Sequence, residues 1–294
     1  MNKPHIAFLG LGIMGSGMAR RLLAKGFPVA VFNRNPDKAK PFAAEGANVA
    51  AAPDEAARQA DVIISMVSDD QASRSLWLGE RGALSVAKPG ALCIECSTLS
   101  VAWVRELCAA AAARGCEFLD APVTGSKPQA ASGELSFLVG GAAASLEKAR
   151  PVLAAMSKAI IHLGPAGSGA LMKLINNFLC GVQVASLAEA VAMIERSGLD
   201  RTKALEMLTN GAAGSPLVKL ISGRMTSPDE APNFLLSLLA KDLGYAIGEG
   251  KKVSLDLVTA SAALDHFKKG MAAGHGENDI SAVIKPLRDG ATSR

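Results

Sequence analysis

Through residues 1–163 the chain alternates short apolar runs with longer stretches in which apolar residues recur every three or four positions. The runs are His5–Gly10, Val29–Asn33, Asn48–Ala51, Asp61–Val67, Ala91–Glu95, Glu117–Ala121, Leu135–Val139 and Ala159–Leu163. Runs of this length and composition read as strands, and Asp61–Val67 is of the kind buried on both faces of a parallel sheet. The stretches between them read as helices: one starting at Ser16, then Asp37–Glu45, Pro53–Gln59, one ending at Trp77, Val101–Arg114 and one reaching Met156. Strands and helices in alternation predict an α/β domain with a mostly parallel, doubly wound sheet. At Gly164 the pattern changes to a helical period almost throughout. Gly164–Glu195 carries glycines at 164, 167 and 169 and then continues as one apolar helix. Further helices are expected near Thr202–Thr209, Leu217–Ser222, Phe234–Gly248, Leu255–Gly270 and Asp279–Leu287, with a break at Ser227–Pro232 among others. The expectation is an α/β domain over 1–163 joined directly to an all-α domain over 164–294, with a substrate cleft between them.

The motifs attach chemistry to this frame. The first strand runs straight into Gly10-Leu11-Gly12-Ile13-Met14-Gly15 and a helix, the context that a dinucleotide-binding loop requires. Gly10 permits the turn, Gly12 lets a pyrophosphate approach the backbone, and Gly15 lets helix pack on strand, while the first helical amides face the phosphates. At the end of the second strand, where an NAD site usually has a carboxylate for the ribose 2′-hydroxyl, stands Asn33-Arg34-Asn35. A planar guanidinium there suits a 2′-phosphate, so NADP(H) is preferred and NAD(H) remains possible; the alternative is an arginine solvated in a turn. Ligands in open α/β sheets sit beyond the carboxyl ends of strands, which makes the loops at Met66–Asp69 and Ser97–Leu99 candidate cofactor walls. The loop Asp120-Ala-Pro-Val-Thr124-Gly125-Ser126-Lys127 offers amides and hydroxyls to a carboxylate, or is a structural turn. Lys173 and Asn177 are spaced to share one helix face amid apolar neighbours. Desolvation would bring that lysine towards neutrality, as a proton donor and acceptor needs, unless it snorkels to the surface. Lys241-Asp242 reads on spacing as an exposed ion pair on an amphipathic helix.

Composition narrows the classes. Aliphatic residues abound and Tyr245 is the only tyrosine, which argues against a nucleic-acid binder built on base stacking. The net charge of +4 is scattered, with no polybasic patch for DNA or a membrane surface. No apolar run is expected to span a bilayer and no leader is read, so a cytoplasmic protein is expected. Five cysteines fit a reducing compartment; Cys93 and Cys96 read as core residues, and no histidine cluster suggests a metal.

Taken together, these motifs resemble the β-hydroxyacid dehydrogenase family over essentially the whole chain. The matching pieces are Gly10-x-Gly12-x-Met14-Gly15-x-x-Met18-Ala19, Asp120-Ala-Pro-Val-Thr124-Gly125, Gly164-x-x-Gly167-x-Gly169-x-x-x-Lys173-x-x-Asn176-Asn177 and Phe234 through Lys241-Asp242. The resemblance implies a Rossmann domain followed by an all-α domain, and these roles. Lys173 is the general acid towards the carbonyl oxygen, and Asn177 orients the substrate or Lys173. Thr124, Gly125 and Ser126 hold the substrate carboxylate. Gly10 to Gly15, Asn33, Arg34, Met66, Val67, Thr98 and Lys241 bind the cofactor, and Phe234 and Asp242 close the pocket. The family's usual Ser-Gly-Gly is here Thr124-Gly125-Ser126-Lys127, which looks like the glyoxylate/succinic semialdehyde reductases, as do Asn33-Arg34 and the stretch from Ala273 to Asp279. Asp120 and the stretch from Phe137 to Gly141 suit 3-hydroxyisobutyrate and tartronate semialdehyde enzymes equally. The implied activity is NADPH-dependent reduction of small carboxylate-bearing aldehydes by a homodimer or homotetramer. A cofactor-binding scaffold without turnover and an imine reductase are the alternatives, and Lys173 counts against both.

Overall fold

The computed structural model of the chain describes residues 3–227 and 231–289, so part of the break expected at Ser227–Pro232 lies outside the described residues. The chain divides into two compact units, Met1–Lys173 and Leu174–Arg294.

The first unit follows the order β1 (Ile6–Leu9), α1 (Gly15–Ala24), β2 (Val29–Phe32), α2 (Lys40–Ala44), β3 (Asn48–Val49), α3 (Pro53–Ala57), β4 (Val62–Ser65), α4 (Asp70–Leu78) and β5 (Leu92–Glu95). It continues with α5 (Val101–Ala113), β6 (Glu117–Asp120), β7 (Val123–Thr124), α6 (Lys127–Ser132), β8 (Leu135–Gly141), α7 (Ala143–Ala154) and β9 (Ser157–Gly164). The sheet order is β3-β2-β1-β4-β5-β6-β8-β7, with β9 on β8. All pairs from β3 to β6 are parallel, while β8 runs antiparallel to β6 and β7 and parallel to β9. Every residue of β1, β4 and β5 is buried, as the continuous apolar runs required. Their registers bring Phe8, Val31, Ile64, Ile94 and Leu119 into one row of the core.

Two local readings change. The helix expected over Asp37–Glu45 is split into a 3-10 turn at Pro36–Lys38 and the short α2, because Pro41 is accommodated only in a helix's first turn. The segment after Asp120, expected as a loop, contains β7 and α6; α6 closes at Gly133 in the left-handed region.

The second unit is helical among the described residues: α8 (Ser168–Ser197, whose first residues belong to the first unit), α9 (Arg201–Asn210), α10 (Pro216–Thr226), α11 (Leu236–Lys252), α12 (Val258–Ala272), a 3-10 helix at Ile280–Ile284 and α13 (Lys285–Asp289). Asp200 and Ser215 cap α9 and α10 by accepting from the amides of Lys203 and Val218. Val184, Ala188 and Val191 of α8 join Ile221, Leu243 and Phe267 in its core. A Cβ at Gly181 would lie 2.8 Å from the Leu243 side chain, so glycine there lets α8 and α11 approach. The expectation that no run could span a bilayer does not hold for α8. It has 30 residues, and an 18-residue window within it has a mean hydropathy of 1.5, although half of that window is buried inside the protein.

Candidate functional site

In the first unit the expected cofactor residues converge at the carboxyl ends of β1, β2, β4 and β5. Gly10 turns the chain at φ +103°, and a Cβ on it would sit 2.3 Å from the Met66 carbonyl oxygen and 3.0 Å from the Val67 side chain. At Gly15 a Cβ would lie 2.0 Å from the Gly10 carbonyl, so α1 starts directly against the turn. Gly12 differs: a Cβ there meets no protein atom within 4 Å. Packing within the protein therefore does not demand glycine at 12, whereas a pyrophosphate laid over the loop would. The amide of Leu11 donates to Asn33 Oδ1 at 2.8 Å, and Asn33 Nδ2 donates to the Asn35 carbonyl at 2.8 Å. Asn33 thus ties the glycine loop to the end of β2, and Arg34 beside it is exposed. Ile13 and Met14 are half-buried in the loop.

The candidate walls are held from beneath by a polar cluster that the motifs did not reveal. Ser65 and Glu95 are register partners at the ends of β4 and β5 and are fully buried; Asp120, beside Glu95 on β6, is buried too, but its carboxylate turns to the start of α8. Glu95 accepts from Ser73 Oγ at 2.6 Å, from Trp77 Nε1 at 2.9 Å and from the amide of Ser97 at 2.9 Å. Ser97 Oγ in turn accepts from the amide of Val67 at 2.8 Å. One buried carboxylate therefore joins the two loops that carry Met66–Val67 and Thr98, with every donor needed to offset its desolvation nearby. The available sequence signal was a charged residue closing an apolar strand.

The expected substrate loop is placed by α1 and α6. A Cβ at Gly17 of α1 would meet the Ala130 backbone of α6 at 2.9 Å, so the two helices touch backbone to backbone just behind Thr124, Gly125 and Ser126. The amide and the hydroxyl of Ser126 both donate to Gln129 Oε1, each at 2.9 Å. Thr124 and Gly125 precede this capped turn in the same loop. Lys173 stands in the second turn of α8, half-buried, with Asn177 one turn further along the helix.

In the second unit, Asn177 is buried and its Nδ2 donates to Asp242 Oδ2 at 2.6 Å. Lys241 Nζ pairs with Asp242 Oδ1 at 2.8 Å and lies 4.7 Å from the centre of the Tyr245 ring. The expected Lys241–Asp242 ion pair forms, but its exposure is corrected: Asp242 is only 1% exposed, and its Oδ2 is met by a partner 65 residues earlier. Phe234 lies outside the helix expected over Phe234–Gly248, since α11 begins at Leu236. The buried Asp279 captures the preceding backbone instead, accepting from the amides of Asn233 at 2.9 Å and Phe234 at 3.3 Å and facing Arg224 at 3.4 Å. Among the described residues there is no group of three or more His, Cys, Asp or Glu that could hold a metal.

Comparison with known proteins places this arrangement. Residues 5–164 match the NAD binding domain of 6-phosphogluconate dehydrogenase, and residues 167–287 match the NAD-binding domain of NADP-dependent 3-hydroxyisobutyrate dehydrogenase. The chain is 37% identical to an NAD-dependent L-serine dehydrogenase of Pseudomonas aeruginosa, over 96% of this chain and 97% of the other. It is 35% identical to glyoxylate/succinic semialdehyde reductase 2, chloroplastic, of Arabidopsis thaliana, over 96% and 79% respectively. Among solved structures, the 3-hydroxyisobutyrate dehydrogenase of Mycobacterium tuberculosis with L-serine superposes with a TM-score of 0.87 at 37% identity, covering 97% of this chain and 99% of that one. With a glycine loop shaped for a dinucleotide, the Rossmann order of strands and two profiles that together run nearly end to end, the chain belongs to the β-hydroxyacid dehydrogenase family of NAD(P)-dependent oxidoreductases.

Proposed function

We propose that the protein is an NADPH-dependent reductase of small carboxylate-bearing aldehydes, with glyoxylate and succinic semialdehyde the preferred substrates. The observation that carries this reading is Arg34, exposed beside an asparagine that already serves the glycine loop, with no carboxylate at the end of β2 to repel a 2′-phosphate. Thr124-Gly125-Ser126-Lys127 supports the substrate class. Ser126 donates both its amide and its hydroxyl to Gln129, so Thr124 and Gly125 carry more of the carboxylate's binding than Ser126 does.

A nicotinamide cofactor, when bound, would supply the hydride. Gly10 to Gly15, Asn33, Arg34, Met66, Val67 and Thr98 would hold it. Lys173 gives a proton to the substrate's carbonyl oxygen during reduction and takes it back during oxidation. Asn177, whose Nδ2 donates to Asp242, lies one turn along on the same helix face and is assigned the orienting of Lys173. A cytoplasmic homodimer or homotetramer is the proposed assembly.

The second reading is oxidation of a β-hydroxy acid with NAD, favoured by the 37% identity to an L-serine dehydrogenase. Initial rates with NADPH and NADH against glyoxylate, succinic semialdehyde, methylmalonate semialdehyde and tartronate semialdehyde, and in reverse against L-serine and 3-hydroxyisobutyrate, separate the two. Best turnover of glyoxylate or succinic semialdehyde with NADPH, lost in Lys173→Ala, supports the first. NAD with L-serine or 3-hydroxyisobutyrate as the best pair replaces it by the second, and cofactor binding with no turnover of any pair rejects both.

A further inference from the structure

Asp120 does work that its place in a strand does not explain. It is fully buried at the end of β6, and the residues that follow lead within four positions to Thr124. Its carboxylate faces the glycine-rich start of α8. Oδ1 accepts from the amide of Gly167 at 2.8 Å, and Oδ2 accepts from the amide of Ala170 at 2.8 Å. Ala170 lies three residues before Lys173.

The surrounding backbone is cleared for this grip. A Cβ at Gly140 would stand 2.5 Å from Asp120 Oδ1 and 2.9 Å from Oδ2. A Cβ at Gly169 would strike the Leu138 carbonyl at 2.2 Å and Asp120 Oδ2 at 3.0 Å. Gly167 takes φ +96°, a conformation that turns its amide back towards the carboxylate at little strain. Burial raises the carboxyl's pKa, and the amides of Gly167, Ala170 and Gly169 work against that rise. A cap on an ordinary helix needs one acceptor at the surface. Here a buried carboxylate spans the amide just before α8 and one in its first turn, and two glycines, Gly140 and Gly169, leave room for it.

We infer that Asp120 is a positioning residue: it fixes the start of α8 to the start of the Thr124–Ser126 loop, and so sets Lys173 at its working distance from the substrate carboxylate's donors. This rests on the reading of Lys173 as the proton donor. In the cofactor loops, which end on β1, β2, β4 and β5, the amides of Leu11, Val67 and Ser97 donate to Asn33, Ser97 and Glu95. Loosening the clamp should leave cofactor binding intact and displace the lysine, where an error of about 1 Å costs on the order of 10²-fold.

The test is a double-mutant cycle in the full-length protein, using Asp120→Asn, Asp120→Ser, Lys173→Ala and the combined variants, with the aldehyde the wild type turns over best. Circular dichroism and the Kd of NADPH report folding and the cofactor site. The expected result is wild-type NADPH affinity for the Asp120 variants, kcat reduced about 10- to 100-fold, and less than about twofold further loss when either is added to Lys173→Ala. Equal fractional losses in both backgrounds would show that Asp120 does not act through Lys173. Unchanged kcat in both single variants, or loss of NADPH binding and of the native spectrum in both, would also overturn the inference, the latter by showing a purely structural residue. A Lys173→Ala enzyme with wild-type kcat would instead overturn the proton-donor reading, and that outcome is visible before any Asp120 variant is made.

Discussion

At the scale of single residues, the glycine loop separates two demands that its motif presents as one. Gly15 is required by the protein, because a Cβ would sit 2.0 Å from a backbone carbonyl that cannot move aside. Gly12 is required only by what lies over the loop. Gly15→Ala should therefore lose about 1–3 kcal/mol of stability, a fall of several degrees in a thermal melt. Gly12→Ala should melt like the wild type and bind NADPH at least about tenfold more weakly, a difference of about 1.4 kcal/mol in titration. A second residue-scale effect lies at the other end of the sheet. The neighbouring thiols of Cys93 and Cys116 interact, which raises the pKa of Cys93 and brings that of Cys116 down to about 7, while the Cys116 thiol lies 3.5 Å from the Lys88 carbonyl. The thiolate fraction at Cys116 should rise with pH through about 7, so its alkylation by iodoacetamide, followed by mass spectrometry, should have that midpoint. Cys93→Ala should move the midpoint up towards that of an ordinary thiol.

At the scale of elements, α8 and α11 are joined by Asn177 and Asp242, a pair neither helix needs for its own formation. Asn177→Ala should leave a buried carboxylate short of one donor and cost about 1–3 kcal/mol in denaturant unfolding, with Asn177→Asp worse because it sets two carboxylates face to face. The pair also shows where the sequence stopped being informative. The glycine loop was legible because its chemistry is local: strand, turn and helix follow within twenty residues. Helix positions in the second unit were legible from periodicity to within about four residues at each end, although the stretch expected as one helix over Asp279–Leu287 is a 3-10 helix followed by α13. Burial of Asp242 was not, because a charged residue on an amphipathic helix is usually solvated and its partner lies 65 residues away. Phe234 was drawn into α11 by its apolar neighbours, while Asp279, 45 residues later, holds the backbone out of the helix. Glu95 and Asp120 were passed over for the same reason. Their donors come from α4, from the loop after β5 and from the start of α8, and no spacing rule connects those pieces.

At the scale of the whole molecule, the last helix is tied back to the end of α8. Arg288 forks onto Glu195 with contacts of 2.9 and 2.6 Å and also donates to the Met225 carbonyl at 3.0 Å. The arginine holds the Glu195 carboxyl below its ordinary value of 4.5. A lowered carboxylate adds stability above its unfolded value and loses it as pH falls through the folded one. Glu195→Gln should thus cost up to about 1 kcal/mol near neutral pH, and its melting curve should merge with the wild type's as the pH falls below that ordinary value. The composition of α8 bears on how the protein is made. Its buried apolar face is shared with residues as late as Ile284. At about 5–20 residues per second, the roughly 100 residues from Val184 to Ile284 take about 5–20 s to synthesise. Through that interval the nascent chain carries a membrane-like segment with no cover of its own, the kind of surface that chaperones at the ribosome exit bind and that a prematurely terminated chain never hides.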